Sequence, residues 1–533
     1  MRKILTFAAA MLITGSLWAG GLVTNNNQSA YFTRLQNRNA STTVDAVYYN
    51  PAGLTKLGTG FFASINNQTI NQTKTVTSTN PTIAGQPRDF VGKVSAPVFP
   101  GVYAAFNFGK FSLSAGFNPI GGGGGAKYDE GLPSFESMIS VLPAGLSAQG
   151  IPTTQYDADI FFEGTSVYFG YQFNVAYKIN DMISVAAGMR MVSAKNTYNG
   201  YMKNIMINPN YPAFGAGYTG SLVKAATFFT DAATKLNQLS AGATQYVTGL
   251  QPIISGGGGN VLLANGTGVG LSAAQVAQIQ TILGAAGMTP AQIGAATIAG
   301  AQTALGAAAP GFATKAATMT GYSQATGDLT VDAEQTGTGY TPILSVNITP
   351  IEQLNIAVKY EFQTTLNLKT SVANNNGGGL FFDGIEVPAD MPAVLSVGAE
   401  FKPIDRLMLA ASFNTYMDQN VDYDGSKDLN IDMIDKNFVE YGLGAELGLT
   451  DNLRVSAGWL ATSTGVNDLY QDDLSYSTNT NSFGAGFGYR ITKMLDFNLG
   501  GQYTLYDEDT VGFSTFKKKT WLIGVGVDLY FGL

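Results

Sequence analysis

The sequence predicts an all-β chain, a transmembrane antiparallel β-barrel of about fourteen strands. Three observations lead there: strands that are apolar on one face only, connections that alternate between short and long, and a low content of charge. Residues 520–533, T-W-L-I-G-V-G-V-D-L-Y-F-G-L, show the first of these. Trp521, Ile523, Val525, Val527, Leu529, Phe531 and Leu533 fall on one side of a strand, and Leu522, Gly524, Gly526, Asp528, Tyr530 and Gly532 on the other. One face is continuous grease and the other is small, with an acid in it. A barrel in lipid accounts for both, because its water is inside and its apolar face is outside.

The same alternation recurs along the chain. Leu354, Ile356, Val358, Tyr360 and Phe362 alternate with Asn355, Ala357, Lys359, Glu361 and Gln363. Val167, Phe169, Tyr171, Phe173, Val175 and Tyr177 alternate with Tyr168, Gly170, Gln172, Asn174, Ala176 and Lys178. Further copies start at Tyr441 and Leu495. Short turns fall at Gly109-Lys110, Asn180-Asp181, 349–353, 402–406, 450–452 and 492–494, and long connections at 77–97, 118–163, 199–330, 373–387, 423–436, 464–480 and 507–517. Two unlike ends are the mark of an outer-membrane barrel, and an even strand number puts both termini at the short-turn end. A secreted β-sandwich or β-helix array explains the alternation but not the ordered loop lengths.

Charged residues make up 12% of the chain, against roughly 25% in soluble proteins. Mean hydropathy is only +0.08, so the grease is patterned rather than abundant. A net charge of −8 and a pI of about 4.8 leave no basic footprint for nucleic acid. The chain has neither Cys nor His, which removes a disulfide framework, a thiol nucleophile, the commonest metal ligand and the usual general base. No pair of carboxylates stands out, and the reading is of a non-enzyme without cofactor or metal.

Taken in order, residues 1–19 read as a signal peptide: Arg2-Lys3, an apolar stretch from Ile4 to Ile13, and a small residue at Ala19. Residues 20–58 have mixed polarity and include Asn50-Pro51-Ala52-Gly53, a type I turn signature. They are expected to fold inside the lumen as a plug, the alternative being a tail. Residues 59–533 form the barrel. Its third strand is expected at Phe111 to Phe117, followed by Asn118-Pro119-Ile120 and a Gly run at 121–125 that lacks the setting of a phosphate loop. The insertion at 199–330 holds helical patterns. Leu222, Ala225, Phe229, Ala232, Leu236 and Leu239 keep helical spacing, and Ser272–Gln275 and Thr289–Gln292 are capping boxes. These helices either capture a greasy ligand or pack on one another.

The order of four stretches resembles the long-chain fatty acid transporter family of outer membranes, FadL, which includes the toluene transporter TodX. They are Asn50-Pro51-Ala52, Phe117 to Gly121 leading to Tyr128, Gly339-Tyr340-Thr341-Pro342 leading to Lys359-Tyr360, and Val387 to Pro392. The last strand matches too. The resemblance implies a fourteen-stranded barrel with an N-terminal hatch whose motif is Asn50, Pro51 and Ala52. It implies uptake of apolar small molecules, captured at outer loops, with lateral exit through the wall at the third strand, on Gly116, Asn118 and Pro119. It places ligand-binding roles on Lys195 and Tyr128. The family's second basic position falls near Thr365 rather than on Lys369, so the carboxylate-binding pair is incomplete here. The expected partners are a hydrophobic ligand and outer-membrane lipid and lipopolysaccharide, around a monomer. Surface adhesion and haem uptake remain as other readings.

Overall fold

The computed structural model describes residues 22–374, 381–423 and 431–532. The signal peptide expected at 1–19 lies outside them. Residues 79–87, not 77–97, form the first long connection.

Fourteen strands go round a closed antiparallel ring. They are β1 (Gly60–Ser78), β2 (Arg88–Phe108), β3 (Phe111–Tyr128), β4 (Tyr156–Lys178), β5 (Ile183–Ile207), β6 (Leu329–Ile351) and β7 (Leu354–Glu361). The second half is β8 (Val394–Ile404), β9 (Leu407–Tyr416), β10 (Phe438–Gly448), β11 (Leu453–Ser463), β12 (Thr480–Thr492), β13 (Leu495–Tyr506) and β14 (Ser514–Gly532). Asn367–Asn374 and Glu386–Pro388 prolong β7 and β8 beyond breaks, and Asp509–Val511 prolongs β13. β1 closes the ring by pairing with β2 on one side and β14 on the other, from Gly60↔Gly532 to Ser78↔Ser514. Closure matters because lipid offers no partner for an unpaired backbone group.

The alternation resolves as the sequence reading requires. Phe173, Leu443, Trp521, Ile523, Val525 and Phe531 stand exposed on the outside, and Leu522, Asp528, Asn174, Lys359 and Glu361 are buried on the inside. Asp528 accepts a hydrogen bond from Asn498 Nδ2 at 2.9 Å. An apolar exterior over a polar, hydrogen-bonded interior is the inverse of a soluble protein and marks an outer-membrane barrel.

The third strand differs from expectation. It does not stop at Phe117 but continues to Tyr128, and Asn118 to Gly123 are buried in succession instead of alternately. The strand leaves the cylinder there and bends inward. Pro119 and the Gly run were expected to be loop because both weaken a ladder, and here they allow the bend.

A second compact unit comprises residues 138–159 and 202–328. It holds most of the insertion between β5 and β6 and is built on two long antiparallel helices, Ala225–Ser255 and Ile298–Ala325. Phe228, Phe229 and Leu236 of the first and Leu305, Phe312 and Met319 of the second are buried. Ser323 Oγ donates to the Ala226 carbonyl at 2.9 Å, and Ser240 Oγ to the Ala309 carbonyl at 2.8 Å. Both expected capping boxes are formed, at Ser272 and Thr289. Leu222, which was expected to start the first helix, precedes it and is exposed. The apolar stripes pack on each other, so the two long helices spend their grease on their own core.

A ring without a free edge resists detergent. Unboiled protein is expected to migrate as a compact band on a denaturing gel and to slow or shift after boiling, with circular dichroism dominated by strand. A single band under both conditions contradicts the closed ring.

Candidate functional site: a plugged lumen and an interrupted wall

Residues 22–58 fold inside the ring, with nearly every side chain from Leu22 to Leu54 buried. Helix α1 (Ala30–Leu35) starts at Ser29, whose Oγ accepts from the Phe32 amide at 3.0 Å. A short helix, α2 (Ala46–Tyr49), follows, and Asn50 leads into a 3₁₀ turn at Pro51–Lys56. Gly53 N–H donates to the Asn50 carbonyl at 2.8 Å, which is the turn that Asn-Pro-Ala-Gly predicts.

The small inner face of the C-terminal strands now has a reason. A Cβ on Gly458 would run into the Leu35 carbonyl, and one on Gly484 into the Thr33 carbonyl. Those glycines let the α1 backbone lie directly against the barrel wall.

Polar groups then fasten the segment around the ring. Arg34 pairs with Glu446 and also donates to Ser456 Oγ at 2.5 Å and Asn498 Oδ1 at 3.1 Å. Arg38 spans Asp45, at 2.9 and 3.0 Å, and Glu400, at 3.0 Å. Tyr31 lies between the two guanidinium groups, 3.7 and 3.8 Å from its ring centre. Asn26 Nδ2 donates to Glu440 at 2.6 Å. Asn50 Nδ2 donates to Asn347 Oδ1 at 2.7 Å, and Ser345 Oγ donates to Asn50 Oδ1 at 3.1 Å. Ser184 Oγ donates to the Ala52 carbonyl at 2.7 Å. Lys359 donates to the Tyr48 carbonyl at 2.9 Å and to Glu361 at 2.7 Å, and Arg190 pairs with Glu361 at 2.6 Å. Removing one partner of such a buried pair strands the other, at about 3–5 kcal/mol.

The wall is interrupted next to this segment. β2 and β3 pair at Gly92↔Tyr128 and Lys93↔Lys127, and again from Val102↔Phe117. Between them, residues 94–101 of β2 and 118–126 of β3 have no cross-strand partner in each other. Both sides are adapted to the gap. β2 carries Pro97 and Pro100, which have no N–H to leave unpaired. The Pro97 carbonyl accepts from Asn67 Nδ2 at 3.2 Å and Thr69 Oγ1 at 3.0 Å. On β3, the inward bend is met by the start of the plug. Asn25 N–H donates to the Ile120 carbonyl at 2.8 Å, Gly122 N–H to the Val23 carbonyl at 3.0 Å, and Gln28 Nε2 to the Pro119 carbonyl at 2.8 Å. Asn118 sits in the bend with neither side-chain polar atom hydrogen-bonded among the described residues.

Two of the stretches singled out in the sequence meet here, Phe117 to Gly121 and Val387 to Pro392. A Cβ on Gly121 would lie 3.2 Å from Met391 Cε, which joins the bend to the Val387 to Pro392 stretch. Ile120, Val23, Tyr168, Val192, Leu366 and Met391 belong to one buried apolar cluster. Gly116 lies just before the bend, where its Cβ would touch Tyr103 and Val47. Tyr128 faces the lumen, buried, in a second apolar cluster with Leu132, Phe162, Tyr198 and Phe381. Lys195 is elsewhere. It falls on the exposed, outward face between buried Ala194 and Asn196, and pairs with Glu334 at 2.6 Å. An outward side chain does not meet a ligand in the lumen, so the geometry departs from the role expected for it. Lys369 is also exposed. Pro97 and Pro100 escaped the sequence reading, which put Pro97 in a loop.

No protein-family model matches the chain, and no curated protein does. Solved structures do. A Pseudomonas aeruginosa FadL homologue is 12% identical, with 96% of this chain and 100% of that one covered, at a TM-score of 0.55. A TodX deletion mutant, described as a monoaromatic hydrocarbon channel, is 12% identical, with 94% and 99% covered, at a TM-score of 0.52. At that identity the likeness is one of fold: the chain has the fold of the FadL and TodX barrels.

If the α1 contact seals the lumen, Gly458→Val should unseat it. Ion conductance in planar bilayers is expected to rise several-fold over the unsubstituted protein, with the unboiled gel band retained. Equal conductance for a folded variant contradicts a sealing role.

Proposed function

We propose that the protein takes up apolar small molecules across an outer membrane and releases them sideways into lipid, between β2 and β3. The observation that carries this reading is the ladder gap at 94–101 and 118–126, lined on the lumen side by the apolar cluster around Ile120 and Met391. A greasy molecule has no reason to cross the polar plug, since water and polar groups disfavour apolar surface by about 25 cal/mol per Å². The polar fastenings of the plug occupy the direct route, and the gap offers an apolar one. The relatives in fold that are described as hydrocarbon channels support the substrate class.

In this reading Gly116, Asn118 and Pro119 shape the lateral opening, and Asn50, Pro51 and Ala52 anchor the hatch to β5 and β6. The ligand meets Tyr128 on the way. Outer-membrane lipid surrounds the wall. The chemistry is transfer between phases, with no bond made or broken, so the protein is read as a transporter and not an enzyme.

The test is a repaired strand. Replacing Asn118-Pro119 with Val-Thr restores an N–H and β propensity where the strand bends. Uptake of a radiolabelled hydrocarbon by cells that depend on the protein is expected to fall, at equal surface amount and with ligand capture by the purified protein retained. Normal uptake through a repaired wall overturns the lateral route and points to passage through the hatch.

A further inference from the structure

A row of outward side chains crosses β14, β1, β2 and β3 toward the long-loop end of the barrel. Lys519 pairs in register with Thr73, Thr73 with Lys93, and Lys93 with Lys127. All four are exposed. Lys519, Thr73 and Lys93 each stand between two buried neighbours, so the period of two points them away from the lumen.

The acids nearby serve only part of this charge. Lys127 pairs with Asp129 at 2.8 Å and faces Glu163 of β4 in register. The carboxyl of Asp129, beyond the end of β3, is held below its usual range first by the hydrogen bond from Lys127 and least by Lys93. Lys517 of β14 pairs with Glu508 at 3.2 Å. Among the described residues, Lys93 and Lys519 make neither an ion pair nor a hydrogen bond, and the Thr73 hydroxyl between them has no partner. The register even sets Lys93 directly opposite Lys127, where like charges destabilise a ladder unless an anion lies beside them.

The depth of the row is fixed by its neighbours. Trp521, two residues further along β14 from Lys519, pairs in register with Tyr503, and the two are 46% and 44% exposed. Trp and Tyr on the outside of a spanning wall gather at the level of the lipid headgroups. Beyond them Ile523 and Val525 on β14 and Val98 on β2 are exposed and apolar. Two residues of strand carry the chain about 7 Å, so Lys519 stands just outside the aromatic level, where lipid phosphates lie.

The row also borders the interrupted wall. Lys93↔Lys127 is the last pair of the ladder before β2 and β3 part, and the gap begins at Val94.

We propose that Lys93 and Lys519, with Thr73 between them, hold a phosphate of a lipopolysaccharide lipid anchor on the outside of the barrel. Its acyl chains then lie over Ile523, Val525 and Val98, across the outer face of the gap. The two lysines are separated by one strand, about 9–10 Å at the backbone, a span that two lysine side chains close around one phosphate. Phosphate oxygens accept charge-assisted bonds from both ammonium groups. The occupant is a lipid rather than a free anion because the cations stand at headgroup depth over an apolar face. The site goes beyond the uptake reading and does not depend on it.

The test is native mass spectrometry of the purified full chain in detergent, titrated with diphosphoryl lipid A and with the same lipid stripped of both phosphates. The unsubstituted protein is expected to take up one diphosphoryl lipid A and to prefer it over the stripped lipid by at least about tenfold. No such preference overturns the site without recourse to any variant. The double variant Lys93→Gln, Lys519→Gln is expected to lose the preference, and Lys93→Arg, Lys519→Arg to keep it. Lys195→Gln, another outward lysine, is expected to change nothing. Each variant must keep the unboiled gel band. A folded double Gln variant that retains the preference, or an equal loss in Lys195→Gln, overturns the assignment to this row. Displacement of the lipid by millimolar inorganic phosphate makes the row a free-anion site and overturns the lipid.

Discussion

A chain that crosses lipid must satisfy every backbone N–H and C=O within itself, and the rest of this structure depends on how it does so. Several neighbouring pairs run as continuous ladders, among them β14 with β1, β9 with β10, β10 with β11 and β11 with β12. The pair β2 and β3 is the exception, with an open ladder from 94 to 101 and from 118 to 126. The exception is managed from three directions. Prolines delete donors on β2, Asn67 and Thr69 of β1 reach across to its backbone, and the start of the plug pairs with the bend of β3. The plug is therefore part of the wall. Withdrawing Val23 to Asn25 would leave the Ile120 carbonyl and the Gly122 amide without the partners they have.

The same segment shows a division of labour. From Ala30 to Lys56 it is fixed by ion pairs and amides that reach strands on opposite sides of the ring, such as Asn347 on β6 and Asn498 on β13. Its first residues instead meet the bend through backbone bonds and the apolar cluster. The ion pairs fasten the polar middle, and uncharged contacts, backbone bonds and the Gln28 side chain on Pro119, lie at the gap. A route that breaks the fewest buried charges leads through the wall.

Much of the barrel was legible because a period of two survives any tertiary detail: Trp521 to Phe531 had to share a face. The turn at Asn50 was legible because Asn, Pro and Gly have fixed preferences in a turn. The bend of β3 was half legible. Asn118-Pro119 marked the place, but Pro and a Gly run read as loop, and only the ladder with β4 shows that the strand goes on to Tyr128. The partners of Arg34 and Arg38 were not legible, since Glu446 and Glu400 lie hundreds of residues away and no local rule joins them. Lys195 shows the converse: a residue carried over by resemblance turned out to face away from the lumen.

The central claim is that an apolar ligand leaves through the wall between β2 and β3. The most direct measurement loads the protein in lipid vesicles with a photoactivatable hydrocarbon, irradiates it, and maps the adducts by mass spectrometry. The account predicts labels on residues 94–101 and 118–126, together with the apolar cluster around Ile120. Labels confined to the lower side of the plug, around Thr55 to Leu57, with none along the gap, would contradict it.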